Sequence, residues 1–242
     1  MQALSQGLLP VVYSSASPLE SLDAYVSLYI REEVQLEGLV RKLGNFSRFL
    51  EAASFSHAAV LNTSSVARER QVERKAVETY ISLLEDILLA FRLPVFSKKA
   101  KRALISHAKF YFFDAGVFRA LRPAGALDQP EKIEGAALEG LVAQQLRAWN
   151  AYAGTSYELY YWRTISGVEV DFVLYGMQGI HAIEVKNSDR IRPEDLQGLT
   201  TFKGDYPGSD AFLLYRGEEK LLINGINCLP VEMFLSRLDP AG

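Results

Sequence analysis

Cysteine is nearly absent. A single residue, Cys228, in 242 excludes a disulfide framework and a four-thiolate zinc site. Histidine is scarce too. His57, His107 and His181 have no metal-ligand spacing between them, so no zinc site is expected. No apolar run reaches the length of a membrane span. The first residues lack the basic-then-apolar pattern of a secretory signal. An excess of one charge is also missing. The net charge of −3 removes a global basic field as a reason to bind nucleic acid and leaves only local patches. There is no internal repeat and no low-complexity tract. What the chain does have is core material: 49% hydrophobic residues, including 13 Phe, 12 Tyr and 2 Trp, which excludes global disorder. The length fits one or two domains. These features predict a reduced, soluble, cytoplasmic protein with no membrane segment.

Three zones follow along the chain. Residues 1–43 open with Gly7-Leu8-Leu9-Pro10 and a Ser-rich stretch ending at Pro18, where no regular element is expected. Leu22, Tyr25, Val26, Leu28 and Tyr29 then recur at helical spacing, predicting one helix to about Glu37. Residues 44–122 predict a helical domain. Phe46, Phe49, Leu50 and Ala53 form one apolar face. Asn62-Thr63-Ser64 offer caps for a helix over 65–70. After a turn at Gln71-Val72, a longer helix from about Glu73 carries Val77, Tyr80, Ile81, Leu84, Ile87 and Leu88 on one stripe. A short helix, a turn and a longer helix make a helix-turn-helix pattern. Two β-prone stretches follow, 91–96 with Pro94 and 109–113. The basic run Lys98-Lys99-Ala100-Lys101-Arg102 lies between them. Together these predict a winged helix whose wing tip is basic. Residues 130–237 predict a helix over 133–152, strands at 158–163, 168–175 and 179–186, a helix at 193–203, strands at 211–215 and 220–223, and a last helix over 231–238. The fold class is mixed α+β: a winged-helix domain followed by an αβββαβ domain.

Period-2 geometry gathers the chemistry. In Val168-Glu169-Val170-Asp171-Phe172, the side chains of Glu169 and Asp171 share one face, and Val168, Val170 and Phe172 share the other. In Ile183-Glu184-Val185-Lys186, Glu184 and Lys186 share a face, and His181 falls on the opposite one. A hairpin would bring Asp171, Glu184 and Lys186 to one spot within reach of Glu139 on the preceding helix. Three carboxylates on an apolar sheet are expensive without compensation. A divalent cation supplies it, and hard oxygen ligands suit Mg²⁺ or Mn²⁺. Such a metal activates water and stabilises phosphate charge, with Lys186 positioning the water. This design suits phosphodiester hydrolysis.

Asp171, the Glu184-Val185-Lys186 triplet and Glu139 resemble the PD-(D/E)XK nuclease superfamily, although Val170 stands where its Pro would precede the Asp. A wider set of blocks is similar to the C-terminal half of a prokaryotic AAA-type ATPase family. These blocks are Lys109 to Gly116, Leu138 to Val142, Tyr161-Trp162-Arg163, Gly167 to Phe172 and Glu184-Val185-Lys186. In that family an ATPase core precedes a winged helix, and a nuclease-like domain of unknown function ends the chain. The resemblance implies a Mg-dependent endo- or exonuclease with Glu139, Asp171 and Glu184 as metal ligands and Lys186 as catalytic lysine. It also implies that residues 1–43 are the remnant of an ATPase lid. The Gly-x-x-x-x-Gly-Lys-Ser/Thr phosphate loop is missing, so ATP is not expected to bind, and the chain reads as a truncated product or a C-terminal fragment.

Other readings stand beside this one. Asp171, Glu184 and Lys186 also fit a structural ion-pair cluster, and the α/β domain also fits a catalytically inactive nucleic-acid or protein-interaction module of such an ATPase. DNA is the expected partner, through Lys98, Lys99, Lys101 and Arg102 at the wing and Arg74 and Lys75 at the start of the longer helix. ATPase subunits or self-association are further partners. Glu169 is auxiliary, favoured as a salt-bridge partner of Arg163, which otherwise suits a phosphate clamp. Cys228, Trp149 and Trp162 read as core.

Overall fold

Proline and glycine shape the N-terminal stretch. The computed structural model describes residues 2–29, 32, 43–70, 74–154 and 156–238. The leader predicted to lack regular structure holds α1 (Gln2–Gln6) and α2 (Pro10–Tyr13), followed by α3 (Pro18–Ala24) and a π turn, Tyr25–Tyr29. Pro10 and Pro18 sit in the first turns of α2 and α3, where the missing N–H has no partner to lose. The predicted continuation to Glu37, the turn at Gln71-Val72 and the helix start at Glu73 lie outside the described residues. Gly7 turns the chain in the left-handed region, with φ 76°. The next amide, Leu8 N–H, donates to Asp114 Oδ2 at 2.7 Å. Asp114 also caps α7 (Ala115–Leu121) by accepting from Val117 N–H. At Gly116 a Cβ would lie 2.4 Å from the Gln6 carbonyl oxygen. One aspartate and two glycines thus fasten the leader to α7.

The described residues form a mixed α+β fold with two sheets, divided into two units. The first comprises residues 1–92 and 109–141, and the second 93–108 and 142–242. In the first unit α4 (Leu43–Ser54), β1 (Ala59–Val60), α5 (Thr63–Arg70), α6 (Arg74–Asp86), β2 (Ala90–Leu93) and β3 (Lys109–Phe112) follow in order. The sheet order is β1-β3-β2. Phe46, Phe49 and Tyr80 pack with ring centroids 5.2–5.9 Å apart. His57 Nδ1 accepts from Phe112 N–H at 3.0 Å, and its ring stacks on Phe118 at 3.9 Å. Burial pushes the pKa of His57 down to about 3, with the Ala136 backbone partly opposing. The imidazole is therefore a neutral core ring at physiological pH. The long helix α8 (Pro130–Tyr152) contributes its first part to this unit and its second part to the next.

The second unit is built on a six-stranded sheet of order β4-β5-β6-β7-β9-β8. Its strands are β4 (Glu158–Arg163), β5 (Glu169–Gly176), β6 (Gly179–Val185), β7 (Asp210–Tyr215), β8 (Leu221–Ile223) and β9 (Ile226–Pro230). A 3-10 turn, Pro193–Leu196, leads into α9 (Gln197–Asp205), and α10 (Val231–Leu235) follows β9. Sequence reading missed β9. Cys228 lies in it, fully buried.

One feature of this sheet departs from simple alternation. Tyr160 pairs with Val173, and Trp162 pairs with Val170. Three steps along β5 therefore oppose two along β4, which inserts one residue in β5 at Asp171-Phe172, a β-bulge. Val170 and Val173 consequently share one hydrophobic cluster with Leu199 and Phe202 of α9. Strict alternation had grouped Val170 with Phe172. Gly198 lets α9 settle on β5, since a Cβ there would lie 2.0 Å from the Glu169 carbonyl oxygen.

Candidate functional site

Asp171 and Glu184 come together in the second unit. Phe172 pairs with Ile183, so the next step of the register sets Asp171 beside Glu184. Asp171 Oδ2 accepts from Val185 N–H at 2.9 Å. Both carboxylates are buried, each residue 7% exposed. Lys186 follows at the end of β6. Its backbone N–H donates to the Leu214 carbonyl, and its ammonium lies 2.7 Å from Glu184 Oε1. Burial works to lower the Lys186 pKa, but Glu184, Asp171 and Asp195 outweigh it and hold it above its ordinary value. Lys186 is thus a fixed ammonium that donates hydrogen bonds and positive charge, not a base.

Asp195 escaped the sequence reading. It sits in the 3-10 turn after Pro193, accepts from Arg192 N–H at 2.8 Å, and acts on Lys186 from there. An acid in the first turn after a proline is the available signal.

Glu139 has local partners in the first unit. Its Oε1 accepts from Lys109 Nζ at 2.9 Å and from Tyr111 Oη at 2.6 Å. Among the described residues, no group of three or more His, Cys, Asp or Glu side chains is placed to hold a metal ion. Arg163 and Glu169 face each other across β4 and β5 and pair at 2.9 Å. Arg74 and Lys75 stand exposed at the start of α6, with Arg74 bonded to Glu78 at 3.1 Å.

The basic run stands on an exposed loop. Its flanks are laid on β4, the sheet's outer strand. Phe96 N–H donates to the Tyr161 carbonyl and Tyr161 N–H to the Pro94 carbonyl. On the other side Ile105 N–H donates to the Arg163 carbonyl and Ile165 N–H to the Ala103 carbonyl. Phe96 joins the hydrophobic cluster. Residues 97–102 form the loop between these anchors. Lys98 pairs with Glu158 at 2.5 Å and Arg102 with Asp205 at 2.5 Å, while Lys99 and Lys101 are exposed. Lys109, at the head of β3, is 2% exposed and bound to Glu139. No helix among the described residues is long and apolar enough to cross a membrane.

Residues 1–128 match the family described as "Domain of unknown function (DUF8612)". Residues 134–234 match "Domain of unknown function (DUF4143)", a domain associated with the C-terminal regions of AAA-type ATPases. No curated protein matches the chain. Among solved structures, the crystal structure of protein VC1899 from Vibrio cholerae aligns with 93% of this chain at 15% identity and a TM-score of 0.33. This chain covers 58% of that one.

Proposed function

We infer, for a chain that belongs to the DUF8612 family, a DNA-directed module of an ATPase-associated protein whose second unit carries a nuclease-like site. The observation that carries this reading is the pairing of two buried carboxylates, Asp171 and Glu184, with the ammonium of Lys186 2.7 Å from one of them. The topology supports it. The order α4-β1-α5-α6-β2-β3 with a β1-β3-β2 sheet suits a winged helix. The order α8-β4-β5-β6-α9-β7 suits a PD-(D/E)XK-like core.

The donor set fits Mg²⁺ or Mn²⁺. Such a cation takes hard oxygens, and one or two carboxylates suffice where water and phosphate oxygens complete its shell. Asp171 and Glu184 would hold it; Glu139, bonded to Lys109 and Tyr111, has a structural task in the first unit. When bound, the cation supplies Lewis acidity toward a phosphate oxygen and a water. The chain's own part falls to the lysine. The Lys186 ammonium, held in place by Glu184, donates to the attacking water or to the scissile phosphate and offsets charge as it develops.

Labelled single-stranded, duplex and branched DNA incubated in Mg²⁺, Mn²⁺ and EDTA tests the reading, with Lys186→Ala alongside. Metal-dependent cleavage lost in the variant, with calorimetric metal binding retained, is the expected result. Cleavage in EDTA, or unchanged cleavage by the variant, overturns it. A second reading, an inactive binding module, is favoured by the engagement of Lys186 with Glu184 and of Glu139 with Lys109. DNA binding without metal uptake or turnover selects it.

A further inference from the structure

The loop over 97–102 is shaped before any ligand arrives. Both ends are fixed to β4 by backbone hydrogen bonds of 2.6–3.2 Å, and Ala100 N–H closes a turn on the Ser97 carbonyl. Lys99 adopts φ 53° at its crest. Four cations stand on this short loop, and two carboxylates, Glu158 and Asp205, face them. Positive charge is in excess. Beneath the loop lie two partly exposed tyrosines on neighbouring strands. The Lys98 ammonium sits 4.2 Å from the ring centre of Tyr175 and 5.8 Å from that of Tyr160. Buried Phe96 packs 5.5 Å from each ring. The Tyr160 hydroxyl donates to Glu158 Oε2 at 2.9 Å.

We propose that this loop and its two tyrosines form a platform for a single strand of nucleic acid. The proposal rests on the DNA-directed reading above and names its substrate class. Unpaired bases offer free π-faces to aromatic side chains, whereas a duplex buries them. The position that the Lys98 ammonium takes over Tyr175 is one a base can occupy, and the displaced ammonium then meets the adjoining phosphate. Lys99 and Lys101 track the backbone. A loop already fixed at both ends orders little on binding, so its contacts are not spent on its own entropy.

The test uses the full chain in EDTA, a labelled thymidine oligonucleotide and a duplex of the same length, read by fluorescence anisotropy. The strand is expected to bind more tightly than the duplex. Tyr160→Leu and Tyr175→Leu, which keep bulk and remove the π-face, are each expected to weaken strand binding by roughly ten-fold. Tyr160→Phe and Tyr175→Phe retain it. Lys99→Ala with Lys101→Ala flattens the salt dependence by about 1.4 in log–log slope. Thermal melts confirm folding of each variant, and crosslinks from 4-thiothymidine are expected on Tyr160 or Tyr175. Duplex bound as tightly as strand, or Leu variants that bind like wild type, overturns the platform while metal-dependent cleavage lost in Lys186→Ala still upholds the nuclease reading. Strand binding that meets all these expectations, with no cleavage in any metal, upholds the platform and overturns the nuclease.

Discussion

Each unit holds a lysine against a glutamate, and the two pairs differ in what surrounds them. Lys109 and Glu139 meet at 2.9 Å with side chains 2% and 15% exposed, and Tyr111 adds a second donor to the same oxygen. Lys186 and Glu184 meet at 2.7 Å with side chains 32% and 10% exposed, and Asp171 lies alongside. The first pair is sealed: its charges have exchanged water for each other, and separating them strands a charge in the core. The second is sealed on the carboxylate side and open on the ammonium side, so Lys186 can turn toward a ligand without an apolar penalty. The same kind of ion pair is thus closed to solvent in one place and open on its ammonium side in the other.

The largest effect that tests this contrast is on Lys109. Lys109→Met takes the buried ammonium away from Glu139 and should cost about 3–5 kcal/mol. Adding Glu139→Leu should restore much of that loss, because an apolar pair of similar volume replaces a buried ion pair at little net cost. Urea denaturation of the two variants checks it. A Lys109→Met chain as stable as wild type would mean that the pair is not sealed.

Next comes Gly198. Its Cβ position lies 2.0 Å from the Glu169 carbonyl oxygen, a backbone atom that cannot swing aside. Gly198→Ala should push α9 off β5 and cost roughly 1–3 kcal/mol. If the site depends on that docking through Asp195, metal affinity should fall with it. Gly140 gives the matching change in the first unit, where a Cβ would lie 2.4 Å from His57 Nε2. Gly140→Ala should lower stability and leave metal affinity unmoved.

A pH titration separates the units further. His57 is held down to about 3 by burial, against about 6.5 in an unfolded chain. The unfolded state therefore binds the extra proton as pH falls below 6.5, and stability declines from there toward pH 3. The loss should be about 2 kcal/mol between pH 7 and pH 5. Both tryptophans, Trp149 and Trp162, belong to the second unit, so their fluorescence reports that unit while far-UV circular dichroism reports both. The dichroism transition should move with pH more than the fluorescence transition, and His57→Phe should remove the difference.

How much of this was legible in the sequence depends on what carries the information. The Glu184-x-Lys186 spacing was readable because β6 is regular, and two residues along a strand return to the same face. The partners of Val170 were not, because the bulge at Asp171-Phe172 leaves no mark in residue type. The charges of 98–102 were readable, but their docking was not: it runs through backbone bonds to β4, which any sequence could make. The burial of Lys109 was not legible, because nothing near it in the sequence marks a glutamate thirty residues on. The short helices of the leader were missed because helices of four or five residues take their stability from packing, here on α7 through Asp114, rather than from local propensity. Strand β9 was missed because it is short and ends in Pro230.

The smallest expected effect closes the comparison. A double-mutant cycle on Lys186 and Glu184, using Lys186→Ala and Glu184→Gln, should give a coupling below about 1 kcal/mol in stability, since the lysine is about a third exposed and solvent screens the pair. The raised pKa of Lys186 sets the sign. Its contribution is fully present below the ordinary lysine value of about 10.4 and is lost only as pH rises above that. At pH 7 the cycle therefore reads the whole of the pair's worth. A coupling of several kcal/mol would place this pair with Lys109 and Glu139 as a structural fastener and count against a lysine that serves a ligand. A small coupling, together with complete loss of metal-dependent cleavage in Lys186→Ala, would show an ammonium kept for chemistry rather than for the fold.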